Sequence, residues 1–129
     1  MNYNIAGLQL LLDLYDCRAG ALDDSENVEG ILRQALEAAG FQVVNRTAHE
    51  FPHHGITLVL VLAQSHATLH TWPESNFATL DVYACGKSAT IRPSLERVRD
   101  RIVQQLAPKK NSMRFVDRGL DTVTLQDVR

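Results

Sequence analysis

From Ile56 to Ala63 every residue except Thr57 is apolar, so this run has no polar face to offer to water. A strand that is apolar on both parities belongs in the middle of a sheet, with cover on both faces. The predicted strand Ile56–Ala63 therefore needs paired neighbours on each side and a layer above and below. The rest of the chain has to supply them. Leu58 to Ala63, the longest uninterrupted apolar stretch, is far too short to span a bilayer.

Gly7 to Asp16 carries leucine at 8, 10, 12 and 14, alternating with Gln9, Leu11, Asp13 and Tyr15, and predicts a strand with one well-buried face. Asp23, Asp24 and Ser25 offer capping oxygens to a helix whose apolar stripe is Val28, Ile31, Leu32, Ala35, Leu36 and Ala39. Gly40 is placed to end it. Phe41 to Thr47 predicts a second strand, and Phe51 to Gly55, with Pro52 between, predicts a turn. His66–Trp72 and Phe77–Cys85 follow the central strand as two more, joined around Pro73 to Asn76. Pro93 suits a first helical position, after which Leu95, Val98, Ile102 and Leu106 share one face and Pro108 stops the helix. Met113 to Asp117 predicts a last short strand.

The order β-α-β-β-β-β-α-β, with hairpin-length links in the middle, predicts an α+β fold. It is a two-layer α/β sandwich, a mostly antiparallel sheet with both helices on one face. The other sheet face then needs a cover from elsewhere, and a second protomer is the expected one. The 129 residues suit a single domain over 1–129, since two would each be too small for a good core. A net charge of −2 gives no basic surface for nucleic acid. The start lacks the basic and apolar regions of a signal peptide, so the expectation is a cytoplasmic protein without a membrane anchor. In that compartment Cys17 and Cys85, which could in principle pair, are expected to remain free thiols.

The chemistry is concentrated in Gln64-Ser65-His66-Ala67-Thr68-Leu69-His70-Thr71-Trp72-Pro73-Glu74, with Cys85 ending the next strand. Ser65 alone reads most simply as a turn hydroxyl, and no Gly-x-Ser-x-Gly elbow supports a hydrolase. The chain has five histidines, His49, His53, His54, His66 and His70. His66 and His70 have a spacing that suits zinc only on a helix; four strand residues at ~3.3 Å separate them by about 13 Å. No metal site is expected. Strand alternation sets Thr68, His70 and Trp72 on one side and Ser65 on the other, unless a bulge intervenes.

The run closely resembles the self-processing signature of prokaryotic S-adenosylmethionine decarboxylases: Glu-Ser-His, a few residues, His-Thr-Trp-Pro-Glu, and a later Cys-Gly, here Cys85-Gly86. The resemblance extends back to the Leu11 to Cys17 segment and weakens beyond Gly86. It implies that the chain breaks between Gln64 and Ser65. The hydroxyl attacks the preceding carbonyl in an N-to-O acyl shift, and β-elimination then leaves a covalent pyruvoyl cofactor derived from Ser65. By the same resemblance His70 removes the α-proton during elimination, and Thr57 steadies the acyl-shift intermediate. The pyruvoyl ketone condenses with the substrate amine as an electron sink, and Cys85 protonates the α-carbon after carbon dioxide leaves. Phe51 and Trp72 match the aromatic pair that holds adenine, and Glu74 the carboxylate on the ribose. The implied substrate is S-adenosylmethionine, the implied route spermidine and other polyamine synthesis, and the implied assembly a homodimer of processed chain pairs. In it the Phe51 loop serves the partner's pocket.

Several positions depart from the pattern. Gln64 replaces the usual glutamate, Thr57 and Thr68 stand where serine is common, and Ser75-Asn76-Phe77 replaces a Gly-Tyr-containing turn. Two alternatives stay open: a pyruvoyl-dependent decarboxylase of ornithine or arginine, and a non-processing regulatory relative.

Overall fold

A computed structural model of the chain describes residues 2–3, 5–119 and 123–124. In chain order the elements are β1 (Asn2–Tyr3), β2 (Gly7–Tyr15), α1 (Ser25–Ala38), β3 (Val43–Glu50), β4 (Ile56–Leu62) and β5 (Ser65–Trp72). A 3₁₀ turn (Pro73–Ser75), β6 (Phe77–Cys85), α2 (Ser88–Leu106), β7 (Lys110–Arg118) and β8 (Val123–Thr124) follow. Six strands form one sheet in the order β3-β4-β5-β6-β2-β7, and every neighbouring pair is antiparallel. The fold is the expected α+β sandwich.

The leucine alternation of β2 does what its period requires. Leu8, Leu10, Leu12 and Leu14 are all buried, as are Leu58 and Leu60 of β4 and Leu80 of β6. All face the two helices, whose Leu32, Leu36, Leu95 and Val98 complete the core. Each such side chain contributes about 1.5–3 kcal/mol on leaving water, so this one face holds the sheet and helices together.

The opposite face is open. Thr57 and Val59 of β4 are only half-buried, while Val61 and Trp72 are 40% and 41% exposed. The central strand is thus covered on one face by its own chain, not on two as its apolar pattern predicts. Both helices went to the same side, so nothing among the described residues covers Val59 and Val61.

β3 runs on to Glu50, β4 stops at Leu62 and β5 begins at Ser65, and three larger differences from the sequence reading each have a local reason. Phe41 ends α1 and does not begin β3: its N–H bonds Leu36 O at 2.9 Å while that of Gly40 bonds Glu37 O at 3.0 Å. Gly40 has φ +96, the left-handed conformation such a helix end requires. Pro93 lies inside α2, five residues past its start. The helix begins early because Gly86 turns the chain at φ +133 and the Thr90 and Ile91 N–H groups both bond Lys87 O at 3.0 Å. β7 runs beyond Met113–Asp117 at both ends; its outer residues are polar because they lie on a sheet edge. The short β1–β8 pair has no counterpart in the sequence reading.

Candidate active site

The turn between β4 and β5 decides the geometry of the motif. Leu62 pairs with Ser65, leaving Ala63 and Gln64 as a two-residue hairpin loop, so the Gln64–Ser65 peptide sits where loop becomes strand. Ser65 is half-buried and shares the parity of Ala67, Leu69 and Thr71, which face the helices. Cys85, last residue of β6, arrives beside this turn. Its thiol donates to the carbonyl oxygen of Gln64 at 2.7 Å. Cys85 is exposed, so it is not a buried apolar filler. A cavity of about 340 Å³ adjoins the three residues, bounded on the helix side by Gly40, Phe41, Ile91 and Ser94.

The second group lies at the other end of the sheet. The unbroken β4–β5 register places Thr57 opposite His70, and Thr57 Oγ1 lies 3.0 Å from His70 Nδ1. The Trp72 ring sits 6.2 Å from His70 and 5.3 Å from Phe77. Phe51, in the β3–β4 turn, is 47% exposed and meets His49 edge-on at 4.8 Å. Phe51, Thr57, His70 and Trp72, with His53 and with Glu74 of the 3₁₀ turn, line a second cavity of about 250 Å³. Gly55 has to be glycine here, because a Cβ would come within 2.8 Å of Thr71 O. Thr71, the buried polar residue of β5, accepts the Ile56 N–H at 3.0 Å and ties that turn to the strand.

The candidate residues therefore form two groups. Gln64, Ser65 and Cys85 meet at one end; Thr57, His70, Phe51, Trp72 and Glu74 meet at the other. Five residues at ~3.3 Å each put Ser65 and His70 about 16 Å apart along one strand. They also point to opposite faces, because both pairings of β5 run without a bulge. The local irregularity that could have turned them together is absent from this strand.

His49 and His53 belong to the second cavity's surroundings, and the sequence reading treated both only as possible metal ligands. The signal was available: both flank the turn that carries Phe51. Among the described residues no group of three or more His, Cys, Asp or Glu side chains could hold a metal ion. No helix among them is long and apolar enough to cross a membrane. The other thiol, Cys17, is buried, and that burial foremost, with nearby Asp16, pushes its pKa above the ordinary thiol value. Burial thus favours the protonated thiol at Cys17.

Comparison with known proteins agrees with this architecture. The family model described as S-adenosylmethionine decarboxylase matches residues 8–119. The chain is 35% identical over 127 residues, 98% of its length, to the whole of S-adenosylmethionine decarboxylase proenzyme 2 of Bacillus anthracis. It is 37% identical over 114 residues to the S-adenosylmethionine decarboxylase proenzyme of Aquifex aeolicus, covering 88% of this chain and 82% of that one. The crystal structure of the adenosylmethionine decarboxylase from Aquifex aeolicus superimposes with a TM-score of 0.80 at 33% identity, over 98% of this chain and all of the other. With a match across most of its length in sequence and in fold, the chain belongs to the S-adenosylmethionine decarboxylase family.

Proposed function

We propose that this chain is a proenzyme that cuts itself between Gln64 and Ser65 and then decarboxylates S-adenosylmethionine. The observation that carries the reading is the 2.7 Å contact from the Cys85 thiol to the carbonyl oxygen of Gln64. A donor on that oxygen is what attack by the neighbouring Ser65 hydroxyl needs, because negative charge develops there as the C–O bond forms. The attack is intramolecular, so proximity replaces a bimolecular encounter. The Ser65 nitrogen leaves the Gln64 carbonyl as the ester forms, and loss of the α-proton then expels the Gln64 carboxylate to leave a dehydroalanine. Water hydrolyses its imine tautomer to the ketone with release of ammonia. The products are Met1–Gln64 and a chain starting at position 65. Gln64 suits the role as well as glutamate would, since only its backbone carbonyl reacts.

A pyruvoyl group at position 65 supplies a ketone that condenses with the substrate amine and accepts the electrons released with carbon dioxide. Cys85 stands beside that position and holds the proton the α-carbon needs. Phe51 and Trp72 offer flat faces to an adenine, and Glu74 offers a carboxylate to ribose hydroxyls. The decarboxylated product would feed aminopropyl transfer in spermidine and other polyamine synthesis.

His70 and Thr57 are about 16 Å from the Ser65 of their own chain, too far to take its α-proton. A second copy laid face to face on the open sheet, related by a two-fold axis across the strands, answers the separation along the strand, with Ser65 at the strand's end beside the Ala63–Gln64 loop. The Ser65 end of one sheet then lies over the Thr57–His70 end of the other. The axis passes near the midpoint of β5, at Thr68 and its pairing partner Val59. Exposed Val61 and Trp72 on that face support the arrangement. The homodimer is thus the active unit, with Ser65 and Cys85 from one protomer and Thr57 and His70 of the partner subunit at each site. The test is to follow freshly made protein by denaturing electrophoresis and carbon dioxide release. Two bands of about half size and release from S-adenosylmethionine are expected. A single uncut band would support a non-processing relative, and release from ornithine or arginine alone would overturn the substrate.

A further inference from the structure

We infer that His53 is a specificity-determining residue for the nucleoside part of the substrate, an inference that rests on the S-adenosylmethionine reading above. Stacking between aromatic faces accepts any flat ring, so Phe51 and Trp72 alone cannot discriminate one base from another. Discrimination needs a donor or acceptor at the ring edge or the ribose. The 250 Å³ cavity has few to give. Thr57 and His70 are engaged with each other, and the Thr71 hydroxyl with the Ile56 N–H. Among the described residues His53 and Glu74 have no side-chain hydrogen bond to another described residue, and both line this cavity.

The same two residues also border a separate cavity of about 580 Å³, lined further by Asp23, Pro52, His54 and Pro73. His53 and Glu74 therefore mark the boundary between the aromatic pocket and the space outside it. A nucleoside stacked inside presents its polar edge at that boundary, where an imidazole offers one donor and one acceptor. The backbone holds His53 there in advance. Phe51 N–H bonds Gly55 O at 2.8 Å, His54 N–H bonds Phe51 O at 2.9 Å, and His54 takes φ +69 to close the turn. Gly55 seats the turn against Thr71. Little ordering remains to be done when ligand arrives.

Processed His53→Ala and His53→Asn, each retaining both fragments, are compared with the unmodified enzyme for turnover of S-adenosylmethionine and for adenosine binding by calorimetric titration. Losing one such hydrogen bond raises KM and the adenosine Kd by about tenfold. kcat and the extent of self-cleavage stay unchanged, and His53→Asn, which keeps a donor and an acceptor, recovers part of the loss. An Ala variant with unaltered KM and adenosine affinity overturns the assignment while leaving the enzyme's function intact. An unmodified enzyme that neither turns over S-adenosylmethionine nor binds adenosine overturns the functional reading, and the role of His53 with it.

Discussion

Where β6 ends, the Cys85 thiol comes onto the Gln64 carbonyl, and this contact gives a residue-level test of how cleavage begins. Removing a hydrogen-bond donor from a developing oxyanion costs roughly 100- to 1,000-fold in the best-aligned sites, and a thiol donates weakly. Cys85→Ala should therefore cleave itself about 10- to 100-fold more slowly, with Cys85→Ser between. Time courses of band conversion measure this, and an unaltered rate in the alanine variant would remove the thiol from the first step. Thr57 makes a second test. Its hydroxyl lies 3.0 Å from His70 Nδ1, so Thr57→Ser should retain function and Thr57→Val should lose it, although both fit the strand. Equal activity in the two would mean that the hydroxyl is idle.

Among the elements, the β3–β4 turn and the α1–β3 contact carry separate predictions. Gly55→Ala forces a Cβ against Thr71 O, so it should cost about 1–3 kcal/mol in unfolding and weaken substrate binding by moving Phe51. Glu29 joins α1 to β3 through Arg46 at 2.8 Å, with Arg33 at 3.1 Å along the helix. Hydrogen bonding to Arg46 first, then to Arg33, holds its carboxyl below the ordinary value of 4.5. A lowered folded-state pKa gives stability that is present above about 4.5 and lost as pH falls through the lowered value. Glu29→Gln should thus lower the urea midpoint at pH 7, and the deficit should shrink as pH falls below about 4.5. A deficit that does not shrink with acid would assign the effect to packing.

The elements also mark what the sequence could disclose. Leu8 to Leu14 and the Val28-Leu32-Leu36 stripe announce their structures, because burial of one face leaves a period in the residues themselves. Pro93 misled by its type: proline favours a first turn, but the turn made by Gly86 had already started the helix. Phe41 misled because one aromatic serves equally as a strand start or a helix-end contact. Alternation correctly separated Ser65 from His70. The contacts of Cys85 with Gln64 and of Thr57 with His70 depend on register, which the Pro73 to Asn76 turn fixes for the first and the two-residue loop at Ala63–Gln64 for the second, and no local pattern records either. His53 stands beside Phe51 in the same turn, a signal the sequence does carry, but the cavity it lines exists only where that turn meets a distant strand.

At the scale of the whole molecule, the open sheet face and the two separated groups of site residues make one argument. On the proposed reading each chain carries both halves of a site and cannot join one to the other by itself. Val59→Arg puts charge near the proposed two-fold axis and should give monomers that fail to process, as read by sedimentation and gel; processed monomers would contradict the shared site. Coexpressed Ser65→Ala and His70→Ala chains, each inert alone, should form mixed dimers in which the His70→Ala chain alone is cut. The most direct measurement is the intact mass of the freshly purified protein. The account predicts a Met1–Gln64 fragment and a second fragment lighter by one ammonia than a chain beginning with free Ser65. A single full-length mass with that serine unchanged would contradict it.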